Sequence, residues 1–116
     1  MKPVNLAEKL ALFDTHWDPH VVADYNGNDV MVVKFKGAFP FHLHEDTDDF
    51  FLVLEGAMVM DLEGNSHDVK AGELFIVPKG VTHRPRATAE CKVLLIEPKG
   101  EPNTGDPATA AKKPRI

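Results

Sequence analysis

Two histidines two positions apart, His42 and His44, stand ahead of an acidic run, Glu45-Asp46-Thr47-Asp48-Asp49. A third, His83, follows a Pro78-Lys79-Gly80 turn. Imidazole nitrogens and carboxylate oxygens are the donors that divalent transition metals take. On a β-strand, residues i and i+2 face one side, about 7 Å apart along the chain, so both imidazoles of a His-x-His pair can reach one cation. On a helix the same spacing turns them to nearly opposite sides. The pair is a chelate only on extended chain. Phe39, Phe41 and Leu43, with Pro40 discouraging a helix, predict a strand from Ala38 to His44.

Fixed distances extend the pattern. Asp49 follows His44 by five positions and Gly56 follows Asp49 by seven; Gly72, Pro78, Gly80 and His83 come later. The spacings read H-x-H-x4-D-x6-G and then G-x5-P-x-G-x2-H. They resemble the two motifs of the cupin superfamily, G-x5-H-x-H-x3-4-E-x6-G and G-x5-P-x-G-x2-H-x3-N. The kind resembled is the small single-domain barrel often labelled mannose-6-phosphate-isomerase-like. The resemblance runs from Gly37 to His83, and strand patterning carries it to about Pro98. Three positions depart from it. Gly37 stands one residue closer to His42, the motif's glutamate is Asp49, and the closing asparagine is Ala87. Asp48 is a rival for Asp49, because the motif allows three or four intervening residues; the distance to Gly56 favours Asp49.

The resemblance implies an all-β jelly-roll barrel with a metal site of His42, His44, Asp49 and His83. That donor set suits one divalent transition metal (Mn, Fe, Co, Ni, Cu or Zn) better than Ca or Mg. Four protein ligands would leave positions open for a substrate, where the metal could act as a Lewis acid, activate water or, as iron, handle O₂. For one-domain members the resemblance also implies a homodimer, which suits a small domain with exposed sheet edges.

The elements that must position these residues follow from patterning. Asn5, with Glu8 three residues on, caps a short helix whose Leu6, Leu10 and Phe13 share a face. Residues 1–20 form this helix and a lead-in, in which His16 and His20 read as surface residues and Trp17 as packing on the barrel. Residues 21–98 form the barrel. Asn26-Gly27 turns a hairpin between Val21–Tyr25 and Val30–Phe35. Phe50–Leu54, Ala57–Asp61, His67–Val69, Leu74–Val77, His83–Ala87 and Cys91–Glu97 read as further strands, a sandwich or barrel pattern. Phe35, Phe51, Met58, Met60 and Phe75 are the inward candidates, and His67 reads as surface. Residues 99–116 are rich in Pro, Ala, Gly, Thr and Lys and read as a flexible tail.

Composition narrows the partners. The 116 residues carry a net charge of −5, which argues against nucleic acid and offers no basic face to a membrane. Met1-Lys2-Pro3-Val4-Asn5 shows no signal-peptide core, and Cys91, the single cysteine, lies in an apolar run, so the expectation is a cytoplasmic protein. Arg84 and Arg86 flank the second motif, either as solvated charges or to hold an anionic substrate group. Two functions stand at this point. One is a metal-dependent isomerase, dioxygenase or lyase acting on a small sugar- or carboxylate-type substrate. The other is a non-catalytic module that binds a metal or small molecule. A third is a degenerate barrel without metal, encouraged by the glutamate-to-aspartate change, although the shorter Asp49 could also ligate directly, bind through a water or leave a three-histidine site.

Overall fold

A computed structural model describes residues 1–116. Helix α1 (Leu6–Leu10) starts where the sequence predicts, with the Asn5 side chain accepting from the Glu8 amide at 3.0 Å. Seven strands follow: β1 (His20–Tyr25), β2 (Asn28–Ala38), β3 (Asp49–Glu55), β4 (Ala57–Leu62), β5 (Asn65–Lys70), β6 (Leu74–Val77) and β7 (His83–Pro98). All pairings between them are antiparallel. The β1–β2 hairpin turns at Asn26-Gly27, where both residues have positive φ (47° and 76°), as a primed two-residue turn requires.

Strand β7 is the common element. The sequence suggests two strands, 83–87 and 91–97, but they form one of 16 residues. Its second half lies between β2 and β3; its first half leaves β3 and pairs with β4. One strand thereby joins the order β1-β2-β7-β3-β6 to the β4–β5 pair and curls the sheet around a core. Met31, Val33, Phe35, Phe51, Val53, Met58, Met60, Cys91, Val93 and Leu95 fill that core, with Phe75 packed at its margin. A smaller cluster of Leu10, Val22 and Val32, joined by Phe13 and Ile116, seats α1 on the outer face.

Three further expectations need correction. The chain from Ala38 to His44 is not a regular strand: β2 ends at Ala38, and beyond it only His42 pairs, with His83. His20 is buried, its ring stacked 3.8 Å from that of Phe13. Residues 99–116, expected as a flexible tail, lie across the barrel. The Val21 amide donates to Pro114 O (2.8 Å) and the Ile116 amide to Val21 O (3.0 Å). Lys113 bonds the buried Glu97 carboxylate at 2.9 Å. The composition of this segment hides those anchors, because they are polar contacts and single apolar residues.

Candidate metal centre

His42, His44, Asp49 and His83 come together, their ligand atoms all within 4.8 Å of one another. Local backbone contacts place them. His42 and His83 exchange backbone hydrogen bonds, His42 N to His83 O at 3.0 Å and the return at 2.9 Å. His44 presents its carbonyl to the Gly80 amide at 2.7 Å, so the Pro78-Lys79-Gly80 turn clamps the His-x-His stretch from outside. Extended chain without a full ladder thus brings His42 and His44 into one cluster. Asp49 opens β3 facing inward, 4% exposed. Its neighbour Asp48 faces away and accepts from the Lys79 amide at 3.0 Å. The rivalry between the two resolves by strand alternation: Asp49 joins the site and Asp48 fastens the turn.

Hydrogen bonding then sets the tautomers. Nδ1 of His42 faces Pro40 O at 2.9 Å and Nδ1 of His83 faces Val81 O at 2.8 Å. Nδ1 of His44 faces the Glu101 carboxylate at 2.9 Å. An imidazole that donates from Nδ1 turns an Nε2 lone pair inward, the arrangement of metal-binding histidines. Inward, however, lies an acceptor. Asp49 Oδ2 is 2.9 Å from Nε2 of His83 and 3.3 Å from Nε2 of His44. The second contact lacks hydrogen-bond alignment, and His44 Nε2 is a buried nitrogen without a partner. His44 and His83 therefore each face oxygen from both nitrogens, while a neutral imidazole carries one proton. Two neutral imidazoles would leave two of these four contacts without a proton, positions that protonation of a ring or one divalent cation can fill.

The electrostatics assign one of those positions to a proton on His44. Burial pulls the His44 imidazole down, but Asp49 on one side and Glu101 on the other outweigh it and push its pKa up to about 9. Burial draws His42 down to about 4, helped by the charges of His83 and His44. Burial pushes the Asp49 carboxyl up, yet the His44 and His83 imidazoles pull harder and it ends below its ordinary 3.8. In the metal-free protein His44 and Asp49 thus favour their charged forms and His42 its neutral one.

Next to it runs a narrow cavity lined by Trp17, Phe35, Phe39, Phe51, His42 and Asp49. It offers about 30 Å³ to the centres of water molecules, room for about two waters. Trp17 closes one side at a positive φ of 63°, a region costly for a bulky side chain. It is stacked 4.4 Å from Phe35, with Nε1 bonded to Lys36 O at 2.9 Å.

Over residues 29–97, more than half of its length, the chain matches the Cupin_2 family, the cupin domain. The chain belongs to the cupin family. This cupin is 41% identical to a cupin-2 domain containing protein from Shewanella frigidimarina, at a TM-score of 0.82 over 83% of this chain and 94% of that one. It is 33% identical to the uncharacterized protein YdbB of Bacillus subtilis, over 67% of this chain and 70% of that protein. It is also 35% identical to 3-hydroxyanthranilate 3,4-dioxygenase of Xanthomonas euvesicatoria pv. vesicatoria, over 66% of this chain but only 46% of that enzyme.

Several other residues find their places. Arg84 and Arg86 lie on the outer face of this cupin, both bonded to Asp61, so they hold no group in the cavity. Cys91 is fully buried, and burial pushes its thiol up to about 11. His67 is exposed and tilted against Phe75. No helix is long and apolar enough to cross a membrane. Sequence reasoning missed Glu97 and Glu101. The β3–β7 register puts Glu97 beside Asp49 across the strands, and it lines the cavity. Burial and the Asp49 charge raise its pKa. The alternation of β7 places Glu97 in one inward row with His83, a signal the strand pattern already carried.

Proposed function

We propose that this chain is a metal-dependent enzyme. It holds one divalent transition metal through His42, His44, Asp49 and His83 and acts on a small, partly apolar substrate entering beside them. The observation that carries the reading is the cluster itself: three imidazoles and one carboxylate with ligand atoms within 4.8 Å of one another, His44 Nε2 buried without a hydrogen-bond partner, on the wall of a cavity. When bound, such a metal supplies Lewis acidity to an oxygen-bearing ligand. Trp17, Phe35, Phe39 and Phe51 would position the apolar part of the substrate and exclude water. Glu97, the other buried carboxylate on the cavity wall, would accept or return a proton. The dioxygenase relative makes oxidation of a small hydroxylated ring the first reaction to test.

One observation favours a second reading, a closed module that binds metal without turnover. The cavity holds only about two waters, so an aromatic ring enters only if its walls move.

The experiment is elemental analysis of protein purified without affinity tag or chelator, beside His44→Ala. Near one equivalent of a transition metal, lost in His44→Ala, supports the site. Oxygen uptake with aminophenol and catechol carboxylates then separates enzyme from module. No metal in the native chain, nor after adding Mn, Fe, Ni or Zn, would sink both.

The same reading includes a homodimer. Two cross-strand rows on the outer face, Ile96-Phe50-Ile76 and Leu94-Leu52-Leu74, are apolar, with Leu74 and Ile76 57% and 41% exposed beside the open edge of β6. A second copy covering this face would bury it, and Leu74→Lys should shift light-scattering mass from dimer to monomer.

A further inference from the structure

His42 and His83 each find the acceptor for their Nδ1 proton two residues back, at Pro40 O and Val81 O. His20, outside the site, does the same with Asp18 O. His44 has no such recourse. The carbonyl two residues before it belongs to His42, and it already accepts the His83 amide at 2.9 Å. The acceptor at His44 Nδ1 comes instead from 57 residues away: Glu101 Oε2, at 2.9 Å, its side chain 17% exposed against 2% for His44.

Glu101 is held from several sides. Its amide donates to Pro98 O at 3.1 Å, and its carbonyl accepts from Lys113 Nζ, the ammonium that also binds Glu97. Four residues on, Gly105 lies against the Leu43 carbonyl, where any Cβ would overlap that oxygen. Glu101 falls outside residues 29–97, the part of the chain that matches the family.

We propose that Glu101 is a positioning residue of the metal site, its carboxylate fixing the ring and tautomer of His44 so that Nε2 is aimed at the cation. This rests on the metal reading above. A carboxylate at the outer nitrogen also makes the imidazole a stronger donor than a backbone carbonyl would. His44 is then the one histidine of the three whose ligand strength is set by the C-terminal segment.

The test is Co(II) binding to the full chain, by competition with a chelator and by visible absorption, in wild type, Glu101→Ala, Glu101→Gln and Glu101→Asp. The expected result is one Co(II) in wild type, with affinity lower by about 10- to 100-fold in Glu101→Ala and a shifted ligand-field spectrum. Glu101→Gln, which keeps an acceptor without the charge, should fall between, and Glu101→Asp should recover part of the loss. Wild-type affinity and spectrum in Glu101→Ala would overturn the proposal while leaving the metal site standing. A lower melting temperature with an unchanged Co(II) spectrum would overturn it too, reducing Glu101 to a docking contact. Failure of wild type to bind Co(II) would remove the metal reading itself, and this proposal with it.

Discussion

Strand β7 carries two charged clusters on opposite faces, built from alternate residues. Inside, His83 meets Asp49, with His44 on the other side of the same oxygen. Outside, Arg84 and Arg86 donate from Nε to Asp61 Oδ2 at 2.9 and 2.8 Å, and Ser66 donates to its Oδ1 at 2.6 Å. Each cluster is a carboxylate between two basic side chains. They differ in where the protons are. A guanidinium is always protonated and points its N–H groups at the carboxylate, so the outer cluster is complete as it stands. The imidazoles direct their Nδ1 protons away, to Glu101 and Val81 O, so a neutral pair has none for Asp49, and only added positive charge (a second proton, as on His44, or a cation) completes the inner cluster. The outer arrangement is complete in itself; the inner one has the donors to take a cation.

The largest effect should come from removing the inner charge. Asp49→Asn keeps the shape, takes away the one anionic ligand, and should drop bound metal from near one equivalent to a small fraction by elemental analysis. Asp49→Glu, one methylene longer and the residue of the family motif, should retain it. Full metal in Asp49→Asn would make this a three-histidine site and erase the parallel with Asp61.

Proton release on metal binding should come next. In the metal-free protein His44 titrates near 9 instead of its ordinary 6.5. At pH 7 an incoming metal must displace that proton, so affinity should rise with pH and level off above about 9. Calorimetry in buffers of different ionisation enthalpy should record release of about one proton per metal. Folding follows the same sign. The stability His44 adds to the metal-free protein is fully present below 6.5 and disappears as pH rises through 9. His42 acts at the other end: with its pKa lowered to about 4, acid below 6.5 protonates the unfolded chain first and costs stability. A metal-free protein whose stability is flat from pH 4 to 9 would remove the electrostatic basis of the contrast.

A smaller effect belongs to the segment that supplies Glu101. Gly105 has φ +76° and no room for a Cβ beside the Leu43 carbonyl. Gly105→Ala should therefore cost about 1–3 kcal/mol locally. Hydrogen exchange should quicken across residues 99–116, and metal affinity should fall by less than in Glu101→Ala. Unchanged exchange would mean that the segment is not seated there.

Much of this was legible from residue types and spacing. The motif spacings brought out all four clustered residues, because a strand period and two tight turns convert sequence distance into spatial distance over short ranges. Helix α1, the Asn26-Gly27 hairpin and most strands were visible for the same reason. The C-terminal segment was not. Glu101 reaches His44 and Lys113 reaches Glu97 through polar contacts that no local period encodes, and the anchors Gly105 and Ile116 are single residues. His20 was misread because its burial depends on the Phe13 ring, placed by tertiary packing. The merging of 83–87 with 91–97 depended on three exposed residues, Thr88-Ala89-Glu90, continuing as strand instead of turning.

The smallest expected effect closes the comparison. In Asp61→Asn the guanidiniums of Arg84 and Arg86 lose their carboxylate but remain 33% and 41% exposed to water, so the loss in urea unfolding should be only about 1–2 kcal/mol. Arg86, Ser66 and Arg84 hold the Asp61 carboxyl well below its ordinary range, so its contribution is present above pH 4 or so and fades as acid reaches the folded-state value. Wild type and variant should therefore converge in strong acid. Metal content should not change, since Asp61 faces away from the cluster on the far side of β7. Loss of metal in Asp61→Asn would mean that the outer cluster sets the position of His83 through the strand. Arg84 offers a route for such coupling: it lies 4.5 Å over the Phe41 ring, next to His42. The two faces would then be one device, and the completeness of the outer cluster would be part of how the inner one is held open.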